Sequence, residues 1–375
     1  MTRITGAAIR PYRLRLRAPH ADARGEFGTR DGAILAVDTP AGPGLGDCAP
    51  LPGLSAPLAD CLDQLAPAAQ RLVGLALDEA WEWCRFELPR LDFPGPARAA
   101  LEGAVTMPRA RQLGQPPGAL LLPGRPRRPA VPVNALVDRP DPGEALEQAR
   151  AALAAGFAVL KVKVGADPDR DRALLRTLRT QLGSDWELRL DANGAWTPQT
   201  AADLLPDLRA AGVALIEQPF APAGGAELPW MAEFRRESGI AVALDESCDA
   251  PAAAAAAIAA SACDALVVKP SLVGLLAAAE IVAIAGDAGL PCIVTGAFES
   301  GVGLTAAMEL AACLHDPLAA CGLSTGLAVL DDPASGVPLP SRGWLAISAG
   351  GIWPAMATVA AAGGSPPEHV PGGVG

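Results

Sequence analysis

The 375-residue sequence has few charged residues, few aromatic residues and few histidines. Only 19% of the residues are charged, 4% are aromatic, and the net charge at pH 7 is −11. This acidic balance argues against a nucleic-acid-binding surface, which needs clustered Lys and Arg. The three histidines, at positions 20, 315 and 369, are far apart in the sequence. A histidine-based metal site or a Ser-His-Asp triad is therefore not expected.

Long hydrophobic segments and paired cysteines are also lacking. The longest apolar tract, PAAAAAAIAASACDALVV, is mostly alanine and contains Ser261 and Asp264, which favours a soluble helix over a membrane span. The N-terminal segment MTRITGAAIRPYRLRLR has no continuous apolar stretch typical of a secretory signal. The eight cysteines form no CxxC pair and are predicted to be buried rather than disulfide-bonded. These features predict a cytoplasmic protein that binds neither nucleic acid nor a membrane.

The N-terminal third differs in pattern from the rest of the chain. Residues 1–50 alternate like strands and predict a small antiparallel meander, with a polar, glycine-rich loop at 19–32. Residues 56–113 show helical spacing, and Pro108 is expected to end or kink the last helix. The Pro- and Gly-rich segment 114–130 predicts a domain boundary.

Beyond this boundary, strand-like and helix-like segments alternate. The predicted strands are 131–138, 158–164, 187–191, 213–217, 241–245, 265–269, 291–295 and 319–323, and the predicted helices are 142–155, 168–182, 198–211, 227–238, 251–260, 274–288 and 302–315. Such alternation indicates a parallel sheet, and eight strands fit a barrel better than an open sheet.

Five charged residues recur at nearly one interval in this region. Lys163, Asp191, Glu217, Asp245 and Lys269 are separated by 28, 26, 28 and 24 positions in turn, each at or near the end of an apolar run. A βα unit of a barrel takes roughly 30 residues, so one charged group is expected at the same end of five successive strands. Three carboxylates between two lysines predict a divalent-metal site flanked by amines, and therefore an enzyme.

The three carboxylates offer hard oxygen ligands that suit Mg²⁺, with Mn²⁺ as a substitute. Each acid alone is explained equally well as a helix cap, but three at matched spacing favour metal binding. Lys161 and Lys163 point to the same face of a strand, and a lysine near other cations becomes a usable base because its pKa falls. Exposure at a strand end explains Lys269 alone but not the three lysines together.

Further candidates lie beside these residues. Arg189 shares the face of Asp191 and is predicted to reach a substrate carboxylate. Asn193 is interpreted either as a substrate hydrogen-bond donor or as a structural residue of the DANG turn. Glu246 is expected to support the site by pairing with a lysine.

As a set, the segments KVKVG, LRLDANGAW, IEQP, LDES and VVKPS resemble the enolase superfamily, in particular its muconate-lactonizing subgroup. The resemblance covers nearly the whole chain. It implies a modified (β/α)₇β TIM-like barrel at 126–329 and an N-terminal α+β capping domain at 1–125. The C-terminal segment, about residues 330–362, is expected to join the capping domain, and 363–375 to form a disordered tail.

The resemblance also implies roles for the five charged residues. Lys163 would abstract the proton α to a carboxylate, and Lys269 would be the opposing amine. Asp191, Glu217 and Asp245 would hold Mg²⁺, which stabilises the enediolate in the chemistry for which that superfamily is known.

Within the superfamily, GLGDCAPLPGLS, TRDG, VPVNAL and TGAFESGVGL resemble the o-succinylbenzoate synthase family of menaquinone biosynthesis. That family dehydrates a succinyl-hydroxycyclohexadiene carboxylate, with the hydroxyl leaving from the face where Lys163 takes the proton and with Lys269 as a cation–π partner of the ring. Arg30 of the capping loop 20–32, together with Lys161, Thr295 and Gly296, would contact the substrate.

Other activities of the subgroup use the same residues. N-acylamino acid racemase and dipeptide epimerase need both lysines on opposite faces, and muconate cycloisomerase shares the ligand set. Dipeptide epimerases usually carry Asp-x-Asp at the eighth strand, where GLSTGLAV has no such pair, and Asp331 and Asp332 come too late. A non-catalytic barrel would have lost a ligand or the base, and none is lost. The oligomeric state cannot be predicted from the sequence.

Overall fold

The chain begins with the predicted antiparallel meander, a sheet in the order β1-β2-β3. The computed structural model describes residues 2–22, 25–139, 141–316 and 319–356. The first elements are β1 (Gly6–Asp22), β2 (Gly25–Asp38), β3 (Gly44–Cys48), α1 (Leu58–Leu72), α2 (Leu77–Glu82), α3 (Gly95–Gln112) and α4 (Pro117–Leu121). A π-helix (Trp83–Glu87) and a 3₁₀-helix (Leu88–Arg90) connect α2 to α3. This strand-rich unit forms the N-terminal domain.

The predicted loop at 19–32 is wrong for the residues that the structure describes. After an irregularity between Arg15 and His20, β1 and β2 pair again, with His20 opposite Phe27. Strand pairing uses backbone groups and tolerates polar side chains, so composition alone gave a misleading signal. His20 and Phe27 also pack against Phe298, with centroid distances of 4.6 and 5.7 Å, which anchors the hairpin on the second half of the chain.

Pro108 does not end α3, which continues to Gln112. A proline within a helix removes one N–H, so the carbonyl oxygen of Ala104 loses its usual partner. That oxygen lies against the backbone of Gly44, where a Cβ would overlap it. β3 therefore packs closely against this turn of the helix, which continues past the proline.

The second half of the chain folds into a curled parallel sheet in the order β11-β10-β9-β8-β7-β6-β5. Its strands are β5 (Ala135–Val137), β6 (Val159–Lys163), β7 (Glu187–Asp191), β8 (Val213–Glu217), β9 (Ala241–Leu244), β10 (Ala265–Val268) and β11 (Cys292–Val294). The helices are α5 (Pro142–Ala154), α6 (Pro168–Leu182), α7 (Pro198–Ala210), α8 (Leu228–Ser238), α9 (Pro251–Ala259), α10 (Pro270–Val273), α11 (Leu275–Asp287) and α12 (Gly301–Ala311). The alternation confirms the predicted parallel α/β architecture.

The predicted eighth strand is present only as isolated bridges. Cys321 bridges Val133, and Gly322 bridges Thr295, both in parallel orientation. Backbone hydrogen bonds from Gly296 to Gly322 and from Gly322 to Val294 join this segment to β11. The segment thus connects the two edges of the seven-stranded sheet and completes a barrel.

The C-terminal segment contacts both halves of the molecule. Short antiparallel pairs join β12 (Ala334–Ser335) to β14 (Ala355–Met356) and β13 (Trp344–Ala346) to β4 (Ala130–Pro132). A 3₁₀-helix (Thr325–Ala328) precedes them. The expected tail at 363–375 lies outside the described residues.

All eight cysteines are free and buried, as predicted. In the part of the chain that the structure describes, no helix combines the length and the apolar character that crossing a bilayer requires.

Candidate active site

The predicted charged residues lie at one end of the barrel because parallel strands share a direction. In the sheet register Lys163 pairs with Asp191, and Asp191 pairs with Glu217. Asp245 follows the last residue of β9, and Lys269 follows the last residue of β10. The regular spacing in the sequence is therefore the repeat of the βα unit.

Asp191, Glu217 and Asp245 form an acidic trio. Each provides a carboxylate oxygen, and these oxygens lie within 4.8 Å of one another. The three residues are 0%, 2% and 5% exposed. Ligands of an octahedral Mg²⁺ lie roughly 2.0–2.1 Å from the ion, so small side-chain movements would bring all three oxygens to one ion. Three buried carboxylates are a donor set able to bind a metal, and enolase-superfamily enzymes use Mg²⁺.

Three lysines neutralise the acidic trio. Lys161 Nζ lies 2.6 Å from Glu217 Oε1 and 2.9 Å from Asp191 Oδ2. Lys163 Nζ lies 2.7 Å from the same Asp191 oxygen, and Lys269 donates to Asp245 Oδ2. The side chains of all three lysines are 9–12% exposed. Three lysine side chains thus lie against three carboxyl groups in a nearly buried cluster.

Burial and the neighbouring charges shift the pKa values of the cluster in different directions. Burial alone would raise the pKa of Asp191, but Lys161 and Lys163 hold it well below its ordinary value. Burial and the neighbouring Asp191 raise the pKa of Glu217 well above its ordinary value. For Lys269, burial lowers the pKa but the carboxylates outweigh it, and the net pKa is raised. Strong coupling of this kind is typical of functional sites.

Asn193 and Glu246 connect Lys163 to the segment that follows β9. Asn193 Oδ1 accepts a hydrogen bond from Lys163 Nζ at 2.8 Å, and its Nδ2 donates to Glu246 Oε1 at 3.0 Å. Asn193 also has a left-handed backbone, with φ of 45°. The residue therefore has the structural role in the turn that the sequence indicated, and it also holds Lys163. Its contact with a substrate stays a prediction.

Gln218 is a supporting residue that the sequence analysis missed. Its side-chain oxygen accepts from the backbone N–H groups of Asp245 and Ser247, at 3.0 and 3.1 Å. Its Nε2 donates to Ser247 Oγ at 2.8 Å, and φ is 39°. A buried amide between two ligand-bearing strands fixes the position of Asp245 relative to Glu217. The IEQP motif contains this residue, but the spacing pattern selected only its glutamate, Glu217.

A cavity of about 190 Å³ opens above the lysines. Lys161, Lys163, Asp191 and Lys269 form its floor. The remaining walls are mostly apolar or uncharged and include Leu51, Asn134, Leu136, Thr295, Gly296, Ser324 and Thr325. Hairpin residues Glu26 and Phe27, together with Phe298, cover one side, and His20, which the sequence analysis set aside, also lines it. The predicted positions 295 and 296 are therefore at the cavity.

Two predicted substrate contacts are not brought to the cavity. Arg30 is 2% exposed, and its guanidinium donates to the backbone oxygens of Pro50 and Ala49. Arg189 points back along the barrel, where it donates to Glu187 Oε1 at 2.6 Å and to the backbone oxygen of Ala320 at 2.8 Å. Neither residue lines the cavity. Both arginines hold the protein together instead of reaching a ligand.

Comparison with known proteins places this arrangement in a wider group. The chain is 35% identical to o-succinylbenzoate synthase of Thermobifida fusca over 229 residues, covering 59% of this chain and 68% of that protein. It is 27% identical to a hydrophobic dipeptide epimerase of Enterococcus faecalis over 310 residues, covering 81% and 85% of the two chains. A dipeptide epimerase of Cytophaga hutchinsonii, solved with Mg and D-Ala-L-Val, superposes with a TM-score of 0.87 at 24% identity, covering 95% and 97%.

A family model gives the broader assignment. The family model described as "Enolase C-terminal domain-like" matches residues 144–358, which is more than half of the chain. The matched region contains the acidic trio and all three lysines. The protein is therefore a member of the enolase superfamily.

Proposed function

We propose that the protein is a Mg²⁺-dependent o-succinylbenzoate synthase, which removes water from 2-succinyl-6-hydroxy-2,4-cyclohexadiene-1-carboxylate. Superfamily membership supports an enzyme that acts on a small molecule, and relatives with this activity are 31–35% identical to the chain. The observation that carries the proposal is the lysine floor beside the acidic trio, beneath a largely apolar cavity.

Asp191, Glu217 and Asp245 would hold the metal. When bound, Mg²⁺ supplies positive charge that stabilises a substrate carboxylate as its α-carbon becomes electron-rich. Lys163 lies beside this position, and Asn193 Oδ1 fixes its ammonium at 2.8 Å. In its neutral form the Lys163 amine takes the α-proton, and the resulting ammonium returns a proton to the departing hydroxyl, which leaves as water. The electron pair of the broken C–H bond forms the new C=C bond of the aromatic ring.

A dipeptide epimerase is the second candidate, because both lysines line the cavity and one such relative matches 81% of the chain. The eighth-strand segment argues against it. Gly322, Ser324 and Thr325 line the cavity there and carry no charge. Asp331 pairs with Arg15, and Asp332 accepts from backbone N–H groups of Gly301 and Ala334. A dipeptide ammonium group would lack a carboxylate on this side of the cavity. Racemisation of N-acyl amino acids and cycloisomerisation of muconate remain alternatives for the same test.

The test is a direct assay of dehydration. Purified protein with Mg²⁺ and the cyclohexadiene acid is expected to change the ultraviolet absorbance as the ring becomes aromatic. Lys163→Ala should lower kcat by at least about 10³-fold, because the base and the proton donor are lost together. Absence of dehydration alongside racemisation of N-acyl amino acids or epimerisation of dipeptides would overturn the proposal. Retained turnover in the variant would remove Lys163 from the base role.

A further inference from the structure

His20 and Asp138 form a buried ionisable pair in the cavity wall. His20 Nδ1 lies 2.7 Å from Asp138 Oδ2, and the two residues are 5% and 7% exposed. His20 comes from β1, whereas Asp138 follows β5 at the start of the barrel. The pair therefore connects the N-terminal domain to the barrel beside the substrate cavity.

Gln148 fixes the orientation of Asp138. Its Nε2 donates to Asp138 Oδ1 at 3.0 Å, and its Oε1 accepts from the Asp138 backbone N–H at 3.0 Å. The two rings of Phe27 and Phe298 hold the imidazole, with centroid distances of 5.2 and 4.6 Å. A side chain held on several sides is pre-organised for binding.

Asp138 determines which form of the imidazole is favoured. Burial would raise the pKa of Asp138, but hydrogen bonds from His20 and Gln148 lower it below its ordinary value, so it is a carboxylate. A carboxylate beside Nδ1 accepts a hydrogen bond from Nδ1–H and so fixes which ring nitrogen faces Asp138. Because Nδ1 is committed to Asp138, Nε2–H is the donor that remains for a ligand.

Basic side chains line the cavity in two places, the floor and the wall that contains His20. Lys161, Lys163 and Lys269 are paired with the acidic trio on the floor. Among the other described residues that line the cavity, His20 is the one basic side chain. Without His20, the second carboxylate of a substrate would lie against side chains that carry no positive charge, at a desolvation cost.

A second cavity extends from the same wall. It has a volume of about 340 Å³ and shares His20, Leu136, Phe298, Ser324 and Thr325 with the first cavity. Arg17, Arg139 and Asp138 also line it, and Arg139 Nη2 lies 3.5 Å from Asp138 Oδ1. In a chain with a net charge of −11, two arginines against one carboxylate leave a local excess of positive charge that favours an anion.

We propose that His20 is a specificity-determining residue that binds the distal carboxylate of a dicarboxylate substrate, with Asp138 and Gln148 holding its ring. This inference rests on the proposed function, since the succinyl arm carries such a carboxylate. The α-carboxylate would lie on the floor, and the arm would extend toward His20 and the second cavity.

The test compares two ligands that differ only in the distal group. o-Succinylbenzoate and 2-butanoylbenzoate, in which a methyl group replaces the distal carboxylate, are titrated calorimetrically into the Mg²⁺-loaded protein. His20→Gln should weaken o-succinylbenzoate about 10- to 100-fold, as expected for a charge-assisted hydrogen bond, and leave 2-butanoylbenzoate within about twofold. Asp138→Asn, which leaves the ring in place, should weaken the first ligand about three- to tenfold.

The control is His315→Gln, which changes an exposed histidine away from the cavity and should alter neither affinity. Thermal melting checks that each variant is folded, and Asp138→Asn carries the test if His20→Gln does not fold. Equal loss of affinity for both ligands would show that His20 only supports packing and would overturn the inference. Binding of neither ligand by the wild type would overturn the proposed function, and the inference with it.

Discussion

Lys163 and Lys269 enter the cavity from strands on different sides of the barrel. Lys163 ends β6, and Lys269 follows β10. Dehydration needs one base and a fixed positive charge, whereas racemisation needs a proton transfer on each face of the α-carbon. The two chemistries therefore make different demands on Lys269, and substitution can separate them.

We predict that Lys269→Arg keeps dehydration within about tenfold of wild type, because arginine retains the charge but stays protonated. Lys269→Ala should lose roughly 30-fold in kcat, which corresponds to about 2 kcal/mol of desolvated cation–π interaction. Both variants should lose any racemisation of N-acyl amino acids. The ultraviolet assay and polarimetry measure the two activities. Complete loss of dehydration in Lys269→Arg would assign Lys269 to proton transfer.

Regular spacing in the sequence predicts which side chains lie close together only when the backbone also determines where each side chain points. Lys163, Asp191 and Glu217 end parallel strands, so their period of one βα unit was enough to group them. Arg189 shares a face with Asp191, but its long side chain turns toward Glu187. The sequence could not predict that His20 pairs with Asp138, because the two residues lie 118 positions apart and only the tertiary fold brings them together.

At the scale of elements, β3 packs on α3 through glycine. A Cβ on Gly44 would overlap the carbonyl oxygen of Ala104, and a Cβ on Gly46 would overlap that of Ala100. Four residues of helix advance about 6 Å, close to the advance of two residues of strand, so alternate strand positions meet successive helical turns. Side chains at these two positions would separate the elements.

We predict that Gly46→Ala lowers the free energy of unfolding by about 3 kcal/mol, because the new methyl group meets backbone that cannot rotate away. Gly28→Ala is the matched control: it lies in β2 of the same sheet, and the nearest atom to its added Cβ is 4.0 Å away. This control should change stability by less than about 0.5 kcal/mol. Urea unfolding measures both, and equal effects would contradict a packing requirement at Gly46.

Element prediction succeeded where the period is regular and failed where pairing depends on distant residues. The predicted helix at 168–182 matches α6 (Pro168–Leu182), whose apolar positions recur at helical spacing. The strand pairing at 20–22 and 25–32, which composition predicted as a loop, carries no such period. It is formed by backbone partners elsewhere in the chain, and local composition does not contain that information. The eighth strand, predicted at 319–323, is present as isolated bridges at 321 and 322.

At the scale of the molecule, buried acidic groups join the N-terminal domain to the barrel. Asp47 Oδ2 accepts from the backbone N–H and the hydroxyl of Ser300, at 2.9 and 2.7 Å. Glu102 of α3 accepts from the backbone N–H of Leu276 at 2.9 Å. These contacts lie on the side of the barrel that faces α3 and β3. They fix the N-terminal domain, whose residues line one side of the cavity, relative to the barrel. Sequence patterns could not indicate them, since each acid resembles an ordinary surface residue.

Glu102 makes the contact between the N-terminal domain and the barrel sensitive to pH. Burial raises its pKa from 4.5 to about 8, although the Leu276 N–H and Arg98 act in the opposite direction. Glu102 Oε1 is also buried without a partner among the residues described. An acid whose pKa is raised by folding contributes stability that is full below its unfolded pKa, near 4.5, and is lost as pH rises through about 8.

We therefore predict that wild-type stability falls relative to Glu102→Gln between pH 5 and 9. The amide cannot ionise, so the variant escapes a loss on the order of 3–5 kcal/mol, the free energy linked to a pKa shift of this size. Chemical denaturation at several pH values measures the difference, which should grow through pH 8 and then level off. Glu280→Gln changes an exposed acid on the neighbouring helix α11 and should follow the wild-type curve. If Glu102→Gln also follows that curve, proton binding by Glu102 does not affect the stability of the contact between the domains.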